Sequence, residues 1–389
     1  MVEIGFVKSI KRGCRQLCGR RLYFFAMIVI PIVIAVFLLG LMRNGLPYHI
    51  PAAIVDHDNT VTTRKLVRNI QASQEVKVVA IVDNEGEAMR LVREGKIYGF
   101  YVIPVNFTRD AMAGRAPQLA YFTNATFYIP SSLLYRRLKT NSVLATGAQV
   151  KTLLVNSGLT TDAQATALLQ PVSLQTNTLH NPEVNYSVYL CNSFIPAALA
   201  LMILLVTAFS LWHEEKMQTS PDWIRTAHGS ITVALLGKFL PQTAIFTAVG
   251  VFAQSIMYGY LHFPLNCSVW QAVATMLLFV LANQGLGIFI SGILPNLRMA
   301  LSVSSLLGIL TFSIGAFSFP LEDMYGSIAI FSYILPSRYY FLIYVDQMFN
   351  GLPLYYSRLY YAALCGFLLL PLLVGPRIKR HAMHPVYVP

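Results

Sequence analysis

The chain has 389 residues, 55% of them hydrophobic and only 12% charged, with a formal net charge of +12 and a mean hydropathy of +0.55. Soluble domains carry about 25% charged residues, so this composition excludes an ordinary soluble enzyme and places the chain among membrane proteins. The basic excess does not mark a nucleic-acid binder: much of it sits beside apolar runs, where lysine and arginine set the orientation of a membrane chain.

Residues 1–21 carry Lys8, Lys11, Arg12, Arg15, Arg20 and Arg21, with Ile4, Phe6, Val7, Ile10, Cys14 and Leu17 recurring at helical spacing. This predicts a basic amphipathic helix lying on the membrane surface. An uncharged run over 22–42 follows, long enough to cross a bilayer core of about 30 Å, with Pro31 inside it. Behind it stands Arg43 rather than a small-residue cleavage site, so an uncleaved anchor is expected.

Residues 43–186 change character. Short β-rich runs (Ala52–Asp56, Val76–Val82, Ile97–Ile103, Leu119–Thr123) alternate with helical patterns at 62–73 and 85–94, the second closed by Gly95. One or two long helices are expected over 130–170. The region predicts a compact α/β domain, without a metal cluster, a nucleophile elbow or a phosphate loop. The cysteines Cys14, Cys18, Cys191, Cys267 and Cys365 are scattered. They suggest neither a disulfide framework nor a zinc site.

From 187 to 376 the chain is apolar again, with spans expected near 189–212, 231–260, 268–294, 298–319 and 356–374. The segment 327–348 is broken by Pro336, Arg338 and Asp346. Basic residues crowd both ends, which places both termini in the cytoplasm and requires an even number of crossings. Six crossings result if 320–350 is a re-entrant element at the outer side. The domain at 43–186 then lies outside, and 377–389 is a cytoplasmic tail.

The spans hold almost no ionisable residue, which argues against an ion-coupled carrier or a charge-filtered channel. Gly237-Lys238 lacks the upstream glycine of a phosphate loop, so no ATPase activity is expected of the chain itself. The polar stretch after the second span, HEEKMQTSPDWIRTAHGS, predicts a two-turn helix at 220–229. Ser220 is its expected N-cap, Pro221 stands at the first helical position, Asp222 lies near the dipole's positive end, and Gly229 ends it. Trp223 and Arg225 would be displayed on it. Trp223 reads as a docking anchor or as a lipid-interface tryptophan. Glu214 and Glu215 read as a gate or partner contact, or as a solvated helix end. Arg338 and Asp346 read as substrate or gating contacts, or as paired with each other or with headgroups. The tyrosine-rich stretch 327–361 reads as an outer interfacial belt or a substrate lining.

These features together resemble the membrane-spanning permease of the type-2 ABC exporter family. The layout matches, and so do two motifs: Leu46-Pro47 through Pro51-Ala-Ala-Ile-Val-Asp56-His-Asp58, and Glu94-Gly95-Lys96-Ile97-Tyr98-Gly99 through Ile103-Pro104-Val105-Asn106-Phe107, followed by Gly114-Arg115-Ala116-Pro117. The resemblance implies a polytopic α-helical fold with six transmembrane helices and an inserted extracytoplasmic α/β domain. It also implies a non-catalytic transport subunit in a bacterial inner membrane, with ATP hydrolysed on a separate ABC ATPase and no cofactor in this chain. A second permease copy or close paralogue, membrane lipid and a periplasmic adaptor are the implied partners. The stretch around Glu214, Glu215, Thr219, Trp223 and Arg225 corresponds to the family's coupling element, ending at Gly237-Lys238. The family's usual glycine is replaced near Met217-Gln218. The competing expectation is a membrane-anchored assembly or signalling protein that binds a partner through its α/β domain. A hydrophobic or amphipathic substrate is favoured by the uncharged spans.

Overall fold

The computed structural model describes residues 2–43, 45, 47–113, 115, 117–156, 161–169, 181, 185–315, 317 and 321–385. Leu46, Gly114 and Ala116 of the quoted motifs, most of 170–184, Phe319 and Pro320, and the end of the 377–389 tail lie outside these residues. The chain divides into two compact units, Leu46–Asn177 and the remainder.

The remainder is helical. It begins with α1 (Val2–Cys18) and α2 (Arg21–Leu41). In α2 a π-helical turn, Phe25–Val29, precedes Pro31. Such a turn lets the backbone absorb the missing proline N–H.

The unit 46–177 holds β1 (Ile50–Asp56), α3 (Val61–Gln71), β2 (Val76–Val82), α4 (Glu85–Arg93), β3 (Gly99–Ile103), α5 (Phe107–Met112), β4 (Ala120–Thr123), α6 (Tyr128–Asn156) and α7 (Asp162–Leu169). The sheet order is β2-β1-β3-β4. β1 runs parallel to β2 and β3, and β4 is antiparallel to β3. β1 is central and buried on both faces, which is why AAIVD reads as a continuous apolar run. One face packs on Leu66, Val67 and Ile70 of α3 and Leu134 and Leu138 of α6, and the other on Ala88 of α4. Gly95 takes φ +70 beyond α4, the left-handed closure that its position in the sequence implies. Beyond β1, Asp58 Oδ2 accepts from Thr108 Oγ1 (2.6 Å), Thr108 N–H (3.0 Å) and Thr60 Oγ1 (3.2 Å), tying the start of α3 to α5.

The helical unit resumes with α8 (Tyr186–Lys216), α9 (Ser220–Thr226), α10 (Ile231–Tyr260), α11 (Val269–Ile293) and α12 (Leu297–Ile314). Then come α13 (Gly326–Ser332) and α14 (Pro336–Phe349), bent by 80° to one another, and α15 (Leu354–Met383). Among the described residues six helices are long and apolar enough to cross a membrane: α2, α8, α10, α11, α12 and α15. α8 is the inner helix, its apolar side filled by Leu199, Ile203 and Val206 against Phe246 of α10 and Phe279 of α11. Two expected boundaries move. α8 continues through Glu214 and Glu215 to Lys216, and the helix of α15 runs past 376 to Met383, carrying Arg377, Lys379 and Arg380 with it.

Candidate functional site

The last turns of α8 bring Glu214 against the α8–α9 turn and the start of α10, Glu215 beside the start of α9, and Trp212 against Leu297, Ala300 and Leu301 of α12. Glu214 is 3% exposed. Its Oε1 accepts from Lys238 Nζ at 2.9 Å. Its Oε2 accepts from Arg12 Nη2 at 2.9 Å and from Thr219 Oγ1 at 2.5 Å. Lys238, 2% exposed, also donates to Gln16 Oε1 at 2.9 Å and lies 5.3 Å from the Trp223 ring centroid. Arg12 Nη2 also donates to Thr219 O at 3.1 Å. A buried carboxylate thus receives donors from α1, α10 and the α8–α9 turn. Burying charge is tolerable only with such full pairing.

Helix α1 reaches this cluster through small residues. Its covered face is Gly5, Ser9, Gly13 and Leu17, four residues apart, while Val7, Lys8, Lys11, Cys14, Arg15 and Cys18 face outward. A Cβ on Gly13 would stand 2.8 Å from Gly237 O, and one on Gly237 would stand 2.3 Å from Ser9 Oγ. The two backbones therefore touch, as small residues at every fourth position permit. Val7 and Cys14 stay on the outer side of α1, and the face packed on the bundle carries the small residues Gly5, Ser9 and Gly13 with Leu17.

The turn between α8 and α9 answers the missing glycine. Gln218 adopts φ +56, the left-handed conformation that glycine takes without strain. Its side chain donates to Glu215 O at 3.3 Å, which offsets part of that cost. Ser220 is not the N-cap of α9: Thr219 is, and its hydroxyl serves Glu214 rather than the helix end. Pro221 is accordingly the second helical residue. The helix ends at Thr226, followed by His228 at φ +53 and Gly229 at φ +77.

Trp223 is not displayed. It is 2% exposed, its Nε1 donates to Ala234 O at 3.1 Å, and its ring packs among Leu211, Leu235 and Ile378. An indole keeps its N–H satisfied when buried, and here the satisfying carbonyl lies eleven residues onward, on α10. The residue fixes α9 to the bundle instead of reaching outward. Asp222 and Arg225 face out, 3.7 Å apart as an i,i+3 pair. Nor are Glu214 and Glu215 a solvated helix end, at 3% and 8% exposure.

Arg338 and Asp346 are not brought together. Arg338 Nη1 donates to Ser332 Oγ at 3.3 Å and its guanidinium lies 4.2 Å from the Tyr333 ring centroid. Asp346 Oδ2 accepts from Ser357 Oγ at 3.1 Å. Each is held by neighbours in the broken α13–α14 region and in α15.

A model of the ABC-2 family transporter protein matches residues 21–375. The chain belongs to the ABC-2 transporter family. No curated protein matches the chain individually. As an ABC-2 family member with six apolar helices it is a multi-pass membrane protein with a permease role, and the family implies partnership with an ABC ATPase. The match omits α1 and the end of α15. Arg12, Gln16 and Gly13 of this ABC-2 chain therefore lie outside the matched segment. Sequence reasoning passed over Arg12 as one more surface base. Its signal was the Gly5-Ser9-Gly13 spacing, which marks the helix face for close packing.

Proposed function

We infer that this chain is the membrane-spanning permease subunit of an ATP-driven exporter, forming the pathway with a second copy or a close paralogue. In this reading both termini and α9 lie in the cytoplasm, the unit 46–177 lies outside, and ATP is bound and hydrolysed on the ATPase. The carrying observation is the mounting of α9. A helix of this length is marginal alone, since isolated helices under about 12 residues do not persist in water. Here Trp223 on one side and the Glu214 cluster on the other hold it, leaving the exposed Asp222–Arg225 pair to meet a partner. A push on that face passes directly into α8, α10 and α1.

The test is co-purification of an ABC ATPase with the full chain, comparing wild type with Asp222→Arg and Arg225→Asp. Single exposed ion pairs are worth about 0–1 kcal/mol, so each reversal alone weakens capture modestly. The two together weaken it further while the permease keeps its thermal stability. Wild-type chain that retains no ATPase under conditions preserving its fold refutes the reading. Capture untouched by both reversals moves the contact away from α9.

A further inference from the structure

The second acid of the pair, Glu215, has a different setting from Glu214. It borders a cleft of about 30 Å³ among the ends of α8, α11 and α15 and the start of α9, with Trp212, Ser220, Trp223, Leu211 and His381 among its walls. Glu215 is 8% exposed, and among the described residues its carboxylate has no hydrogen-bond or ion-pair partner. Trp212 Nε1 and Ser220 Oγ, lining the same cleft, are buried and equally without partners. Two buried groups without partners, Trp212 Nε1 and Ser220 Oγ, thus border the same small space as the Glu215 carboxylate, and an occupant that bonds the carboxylate and the hydroxyl lowers that cost.

The chemistry of the walls defines that occupant. A buried carboxylate suits a cation, through its charge and through charge-assisted hydrogen bonds. About 15 Å³ suffices for one water-sized centre, so the space admits a compact primary ammonium more readily than a planar guanidinium. The carboxylate can accept from several donors at once, the Ser220 hydroxyl and the Trp212 N–H included. The rim is basic: His381 is exposed there, and Arg377, exposed one turn earlier on α15, shares its face. Acid at depth and base at the mouth match a zwitterion entering ammonium first with a phosphate behind. The cleft also lies where three membrane-length helices end, at Lys216, Ile293 and Met383, and in the six-crossing reading that end of the bundle meets the lipid headgroups.

We propose that this cleft is a headgroup site for an aminophospholipid, with its ammonium on Glu215 between the tryptophans and its phosphate facing His381 and Arg377. The occupant acts as a wedge between α15 and the α8–α9 corner, so lipid composition tunes how firmly α9 is seated. A lysine of a protein partner is the rival occupant, disfavoured by the basic rim.

The experiment reconstitutes the full chain, without ATPase, in vesicles of equal parts phosphatidylethanolamine, phosphatidylcholine and phosphatidylglycerol. After gentle extraction, bound lipids are counted by native mass spectrometry. Wild type should retain the ethanolamine lipid, and Glu215→Gln should lose that preference by about tenfold, the effect of removing one charge-assisted contact. His381→Ala, an exposed change that leaves folding intact, should lower retention of the ethanolamine lipid about threefold while its preference over phosphatidylcholine persists. Free phosphoethanolamine in excess should compete if the headgroup alone is recognised, whereas failure to compete overturns a headgroup site. Equal retention of all three lipids by wild type, or a preference unchanged in Glu215→Gln, overturns the proposal. So does a carbodiimide cross-link from Glu215 to an ATPase lysine in the assembled complex. Because the lipid count needs no ATPase, a failed headgroup site leaves the permease reading standing, and a failed ATPase capture leaves the headgroup site standing.

Discussion

Glu214 collects Lys238, Arg12 and Thr219 in a space that water scarcely reaches. Removing one member strands the others. Lys238→Met should therefore lower stability by about 3–5 kcal/mol, the cost of breaking a buried pair. The double variant Lys238→Met with Glu214→Leu should recover much of that loss, because it removes both buried charges. Thermal melts of the four proteins in one detergent give the coupling directly, and additive losses would show that the pair does not interact. At the neighbouring turn, Gln218 holds φ +56. Gln218→Gly should relieve about 1 kcal/mol of left-handed strain, less the worth of the side-chain bond to Glu215 O. A higher melting temperature checks it, and a lower one would mean that the side-chain bond outweighs the strain.

At the scale of elements, α1 is held by closeness rather than by bulk. A methyl on Gly237 would meet Ser9 Oγ at 2.3 Å, whereas one on Gly40 of α2 meets nothing within 4 Å. Gly237→Ala should lift α1, and a cysteine placed at Ser9 on a cysteine-free background should then become reactive to a soluble maleimide. Gly40→Ala should leave it protected. In the unit 46–177 the corresponding tie is the Asp58 corner. Burial would raise its pKa, but the bonds from Thr108 and Thr60 outweigh it and hold the carboxyl below its ordinary value. A depressed folded-state pKa contributes stability that is present above the unfolded value of about 3.9 and is lost as pH falls through the folded value. Protection from hydrogen exchange over 58–63 and 107–112 in the full chain, taken relative to the intrinsic rate at each pH, should therefore fall below about pH 4. Asp58→Asn should show the same low protection already at pH 7 and no such step. Much at this scale was legible beforehand. β2 falls where Val76–Val82 does because its pattern is local, and Gly95 closes α4 because glycine takes the left-handed conformation without steric cost. The inward turn of Trp223 was not legible, since a short polar helix gives no sign that its indole will find the carbonyl of Ala234. Nor was the pairing of Arg12 with Glu214, 202 residues apart, because spacing of that length carries no periodic signal.

For the whole molecule, six apolar helices and basic ends predict both termini on one side of the membrane and the unit 46–177 on the other. Single cysteines at Lys379 and at Tyr128, both exposed, should label from opposite faces of sealed vesicles. Labelling of both from one face would remove the six-crossing arrangement and make the bent pair α13–α14 a seventh span. The family was readable from motifs spread along the chain, whereas the charged knot at the foot of the bundle was not, because it forms only when three distant segments converge. That convergence sets a clock. The seat that Glu214, Gly237 and Lys238 provide for α1 is made some 200 residues after α1 itself, and synthesis proceeds at about 5–20 residues per second. For tens of seconds the newborn helix has no protein to lie against. A face of lysines and arginines opposite a stripe of glycine and serine suits that interval: the bases can rest on an anionic lipid surface while the glycines wait, uncommitted, for the backbone they will eventually touch.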